Sequence, residues 1–121
     1  SKVLVVEDSS FQRKAILKVL NDMGIDYDYA TNGEEGFNKI SGNQDYTFVM
    51  TDLLMPVLDG IGLIKKLKEI NFLAPIVVLT ADIQKPVIQE LKELGVGKII
   101  HKPFEEDDLK SILSELLIGD N

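Results

Sequence analysis

Three carboxylates, a threonine and a lysine sit where chemistry could occur, because each lies at the end of a short apolar run. Glu7 and Asp8 follow Val3 to Val6, Asp52 follows Phe48 to Met50, Thr80 follows Ile76 to Leu79, and Lys102 follows Ile99 to Ile100 with one residue between. Two like charges about 4 Å apart repel by roughly 4 kcal/mol at an effective dielectric near 20, so carboxylates gathered at one place need compensation. Either one keeps its proton or a divalent cation sits among them. Oxygen ligands with neither His nor Cys beside them favour Mg2+, which uses one or two carboxylates, several waters and a substrate phosphate. An ammonium neutralises phosphoryl oxygens, and a threonine hydroxyl donates to one. A carboxylate beside both can attack phosphorus and become an aspartyl phosphate.

Those residues meet only if the apolar runs are neighbouring parallel strands. Helical spacing separates the runs, and such alternation predicts βαβ units. Leu109, Ile112, Leu113, Leu116 and Leu117 form one buried helical stripe, with the carboxylates of Glu105 to Asp108 at the positive end of the helix dipole. Ile61, Ile64, Leu67 and Ile70 form another behind an Asp59 N-cap. Ile16, Leu17 and Leu20 mark the first helix, with Ser9 or Ser10 as its N-cap and Gly24 as a left-handed C-cap. Val87, Ile88, Leu91 and Leu94 mark the fourth, with Pro86 in its first turn. The second, about Glu34 to Ile40, is the weakest pattern because Gly36 interrupts it. Tyr27 and Tyr29 alternate with Asp26 and Asp28, so Asp26 to Ala30 reads as an edge strand with one polar face, and Lys98 to His101 as the other edge. The expected fold is α/β: a doubly wound five-stranded parallel sheet, flavodoxin-like, with strand order 2-1-3-4-5. Ligands of such sheets bind beyond the strands' carboxyl ends where the winding reverses, between strands 1 and 3, where Glu7, Asp8 and Asp52 stand.

The motifs are then specific together. V-L-V-V-E-D at 3 to 8, T-D-L-L-M-P at 51 to 56 followed by Asp59-Gly60, V-V-L-T-A at 77 to 81 and K-P-F at 102 to 104 occur in order, each at a strand end. The chain resembles a receiver domain of a two-component response regulator, of the single-domain CheY-like kind, over nearly its whole length. The resemblance implies that Asp52 is the phosphoacceptor, supplied by a histidine kinase's phosphohistidine, and that the domain switches a face read by an output protein or appended domain. It implies that Asp8 is a direct Mg2+ ligand, that Glu7 acts on the metal through water, and that Asp52 and the backbone carbonyl of Leu54 complete the protein ligands. Thr80 and Lys102 are implied to contact the phosphoryl group, and the Lys102–Pro103 bond to be cis. Slow self-dephosphorylation is implied in place of enzymatic turnover. Two positions depart from the pattern: Ile99 stands where the family usually has Tyr or Phe, and Glu7 where Asp is commoner.

Composition limits the alternatives. The 121 residues suit one domain, 1–121, with a core of its own. Cysteine is absent, which leaves no thiolate site, and no apolar stretch reaches the roughly 18 residues of a membrane span, so a cytoplasmic protein is expected. A net charge of −7 disfavours direct nucleic-acid binding, and a monomer or weak dimer is expected. A flavin or nucleotide binder would need a donor-rich loop after strand 1, where Glu7 and Asp8 repel phosphate. A haloacid-dehalogenase-type phosphohydrolase carries D-x-D there, and this chain has Ser10. The nearest rival is a receiver-fold docking module with little dependence on phosphorylation, suggested by Ile99. His101, the single histidine, reads as incidental to an edge strand.

Overall fold

A computed structural model describes residues 2–43 and 45–118. Strands and helices alternate: β1 (Lys2–Val6), α1 (Ser10–Asp22), β2 (Asp26–Ala30), α2 (Gly33–Gly42), β3 (Tyr46–Asp52), α3 (Gly60–Glu69), β4 (Ile76–Thr80), α4 (Lys85–Glu93), β5 (Lys98–His101) and α5 (Glu106–Ile118). All strands pair in parallel in the order β2-β1-β3-β4-β5, as the alternation predicts.

Period-two alternation along the strands divides the core into two layers. Leu4, Val6, Val49 and Val78 pack with Ile40, Leu63, Ile64, Leu67 and Leu91 under α2, α3 and α4. Val3, Val5, Phe48, Met50, Val77 and Leu79 pack with Ile16, Val19, Leu20, Leu109 and Leu113 under α1 and α5. Burial on both faces is why the central strands read as continuous apolar runs.

Three local readings are refined. Ser9, not Ser10, caps α1, its side chain accepting from the Gln12 N–H at 3.2 Å. α2 runs unbroken through Gly36: a Cβ there would lie 2.9 Å from Val6 Cγ2, so glycine lets the helix lie directly on β1. On β2, Asp28 is half-buried and accepts from the Tyr46 hydroxyl at 2.8 Å, so the polar face of this edge strand is partly covered. Burial, then the Asp28 carboxylate, push the Tyr46 hydroxyl up to about 12. Other caps stand as the sequence predicts: Asp59 accepts from the Gly62 N–H at 2.8 Å, and Gly24 has φ 69° past the end of α1.

Candidate functional site

Strand register carries the polar residues to one rim. Val6 pairs with Thr51, which brings Glu7 level with Asp52; Asp52 pairs with Leu79, which leaves Thr80 one step beyond. Thr80 pairs with His101, and the Lys102 N–H donates to the Thr80 carbonyl at 2.9 Å. Gly60 keeps the rim tight, since a Cβ there would stand 2.4 Å from the Asp52 carbonyl oxygen.

Lys102 joins two carboxylates. Its Nζ lies 3.0 Å from Glu7 Oε1 and 3.1 Å from Asp52 Oδ2, and it also donates to the Gln12 side-chain carbonyl. The Glu7 side chain is 0% exposed and those of Asp52 and Lys102 are 14% exposed, so these charges meet largely out of water. The second Asp52 oxygen accepts from the Leu53 N–H at 2.8 Å. Burial pushes the Glu7 carboxyl up from 4.5 to about 7; the Asp52 carboxylate adds to the rise and Lys102 opposes it. With one ammonium between the two carboxylates, Glu7 therefore keeps its proton up to about pH 7, and a second cation would be needed for both to be charged below that.

Carboxylate oxygens of Glu7, Asp8 and Asp52 lie within 4.8 Å of one another. Asp8 is exposed and opens the cluster to solvent. An all-oxygen set with excess negative charge fits a hard divalent cation such as Mg2+. Leu54 lines the adjoining cleft of about 550 Å³ together with Gln12, Asp52, Thr80, Asp82 and Lys102. Among the described residues, no backbone N–H donates to the Leu54 carbonyl.

Thr80 is 3% exposed, and its Oγ1 accepts from the Asp82 N–H at 2.9 Å. The hydroxyl thereby shapes the β4–α4 loop. Its own proton faces the Asp82 carbonyl at 3.5 Å, too long to hold it firmly. Ile99 is partly buried against the layer under α2, α3 and α4. His101 is exposed at the end of β5. Lys102–Pro103 is cis.

Sequence reasoning missed two residues of α1. Arg13 donates to the Glu7 carbonyl at 2.8 Å and stacks 5.0 Å from the Tyr29 ring centroid, bracing the turn that carries Glu7 and Asp8. Gln12 reaches Lys102 across 90 residues of sequence. The S-x-x-Q pattern at 9 to 12 was its available signal.

A doubly wound sheet with clustered carboxylates and a lysine at its switch point defines a class, and the family is shown directly. The chain belongs to the response regulator receiver domain family, whose model matches residues 3–114. Receiver domains are signalling domains of two-component systems. Chemotaxis protein CheY1 of Helicobacter pylori is 35% identical over 123 residues, covering 99% of this chain and 98% of that protein. The osmosensing histidine protein kinase SLN1 of Saccharomyces cerevisiae is 34% identical over 120 residues, covering 94% of this chain. The chain spans a tenth or less of the length of SLN1 and two other sensor or kinase relatives that it matches. The structure of Vibrio cholerae chemotaxis protein CheY4 superposes with a TM-score of 0.88 at 28% identity, covering 96% of this chain and 98% of that one. Among the described residues, no helix is long and apolar enough to cross a membrane.

Proposed function

We propose that Asp52 accepts a phosphoryl group from the phosphohistidine of a histidine kinase and that the phosphorylated domain presents an altered face to an output partner. The observation that carries this reading is the Lys102 ammonium held within 3.1 Å of both Glu7 and Asp52 in a largely buried setting. An Asp52 oxygen forms the new bond to phosphorus while the P–N bond of the donor breaks, its electron pair leaving with the imidazole. Lys102 transfers one contact from the carboxylate to a phosphoryl oxygen, which removes charge repulsion as the group arrives. The loosely held proton of Thr80 turns to a second phosphoryl oxygen. Glu7, Asp8, Asp52 and the Leu54 carbonyl would hold Mg2+, which when bound supplies further charge neutralisation at those oxygens. Hydrolysis of the aspartyl phosphate is slow and resets the domain.

The domain comprises residues 1–121 and acts in the cytoplasm as a monomer or weak dimer, without contacting nucleic acid. A chemotaxis-type output is the finer reading suggested by CheY1, which the chain spans almost completely. Incubation with Mg2+ and acetyl phosphate adds one phosphoryl mass, and Asp52→Asn adds none. Equal labelling of wild type and variant would refute the assignment.

The aliphatic Ile99 supports a second reading, a docking module whose surface responds little to phosphorylation. Amide hydrogen exchange with and without beryllofluoride separates the two. Changed protection in α4 and β5 supports the switch; unchanged protection supports docking.

A further inference from the structure

Gln12 occupies the third position of α1, behind the Ser9 N-cap. In a capping box, a Gln at this position turns back to the N–H of the capping residue. Here that N–H points instead to Glu7 Oε2, at 3.4 Å, and the Gln12 side-chain carbonyl accepts from Lys102 in place of Ser9. The Gln12 backbone is meanwhile fixed by Ser9 Oγ at 3.2 Å. A lysine ammonium has three donors. In this site Glu7 and Gln12 each accept a hydrogen bond from it, and Asp52 faces it as an ion pair at 3.1 Å.

We propose that Gln12 is a positioning residue for phosphoryl transfer: its side-chain carbonyl holds the Lys102 ammonium between Glu7 and Asp52. This rests on the reading of Asp52 as acceptor. The three partners differ in a way that gives Gln12 its use. Asp52 changes charge and shape when it gains a phosphoryl group, and Glu7 stands among the carboxylates that would hold the metal. Gln12 is neutral and belongs to neither, so its contact persists through the reaction. Without it, the long lysine side chain regains rotamer freedom, and ordering it falls on the transfer step.

The test uses the whole chain. The side-chain ammonium signal of Lys102 is observed by 15N NMR in metal-free protein and assigned by its loss in Lys102→Met. Gln12→Met keeps the length and removes the acceptor. It should shift that signal and speed its hydrogen exchange roughly fivefold, the effect of one partly exposed bond to a charged donor. Gln12→Glu, which keeps an acceptor at the same reach, should restore slow exchange. Phosphoryl uptake from acetyl phosphate should slow by a similar factor in Gln12→Met, with thermal unfolding unchanged. Adding Gln12→Met to Lys102→Met should not slow the residual uptake further. Uptake by wild type together with a Lys102 signal indifferent to Gln12→Met would overturn the positioning role alone, as would equal slowing in the Lys102→Met background. No uptake by wild type, with a Lys102 signal that does respond, would overturn the acceptor reading while the Gln12–Lys102 contact stands.

Discussion

Raising the pH of the metal-free protein from about 5 to about 8 should destabilise it, because the folded state holds a proton that the unfolded chain has already released. The group is the Glu7 carboxyl, pushed up from 4.5 to about 7 by burial and by Asp52. Its folded value is the higher one, so the contribution is intact below about 4.5. It declines as pH rises through the window to about 7 and is then lost. The interval corresponds to about 3 kcal/mol. Glu7 is fully buried, so solvent does not screen this away. Urea titrations in EDTA at a series of pH values measure the fall directly. Glu7→Gln, a neutral side chain of the same shape, should flatten the curve across the window and exceed wild type in stability at its upper end. Mg2+ should stabilise wild type more at about pH 8 than at about pH 5, since at lower pH it competes with the proton. Parallel curves for wild type and Glu7→Gln would refute the electrostatic account, whatever the protein's signalling role.

Gly36→Ala should cost about 1–3 kcal/mol in urea unfolding, because its Cβ would enter the space of the buried Val6, and Val6→Ala in the same chain should recover part of that loss. Val57 is 73% exposed at φ 69°, and the Leu58 N–H donates to the Pro56 carbonyl at 2.8 Å across it, a tight turn that a β-branched residue adopts under strain. Val57→Gly should therefore raise stability by roughly 0.5–1 kcal/mol, the positive-φ penalty of a β-branched residue less the entropy glycine adds to the unfolded chain, as read by thermal melting. Tyr46→Phe should cost about 1 kcal/mol near neutral pH by removing the bond to Asp28, which also holds that carboxyl below its ordinary value. The difference from wild type should shrink as pH falls below the ordinary Asp value and Asp28 protonates, and a difference independent of pH would refute the link.

What could be read before folding was whatever is written within a few residues. Apolar runs bounded by Glu7, Asp52, Thr80 and Lys102 carry the strand signal locally, and helical stripes such as Leu109 to Leu117 carry the other period. Together they suffice for the alternation, the strand order and the rim at which the polar residues gather. Gly36 made α2 the weakest pattern because propensity counts only the isolated helix, whereas the residue's worth lies in its contact with Val6 on another strand. Asp28 was legible only as part of a polar edge face because its partner, Tyr46, is 18 residues away.

The amino-acid sequence by itself determined the family, the fold and the set of polar residues at the sheet's switch point, since each depends on local periodicity and on motifs at strand ends. Tertiary structure alone decided how those groups share charge. Lys102 meets Glu7 across 95 residues and Gln12 across 90, and Glu7 becomes fully buried only when the layers close over it. Desolvation and pairing arise from that closure, so the proton on Glu7 and the three-sided hold on Lys102 have no counterpart in the unfolded chain.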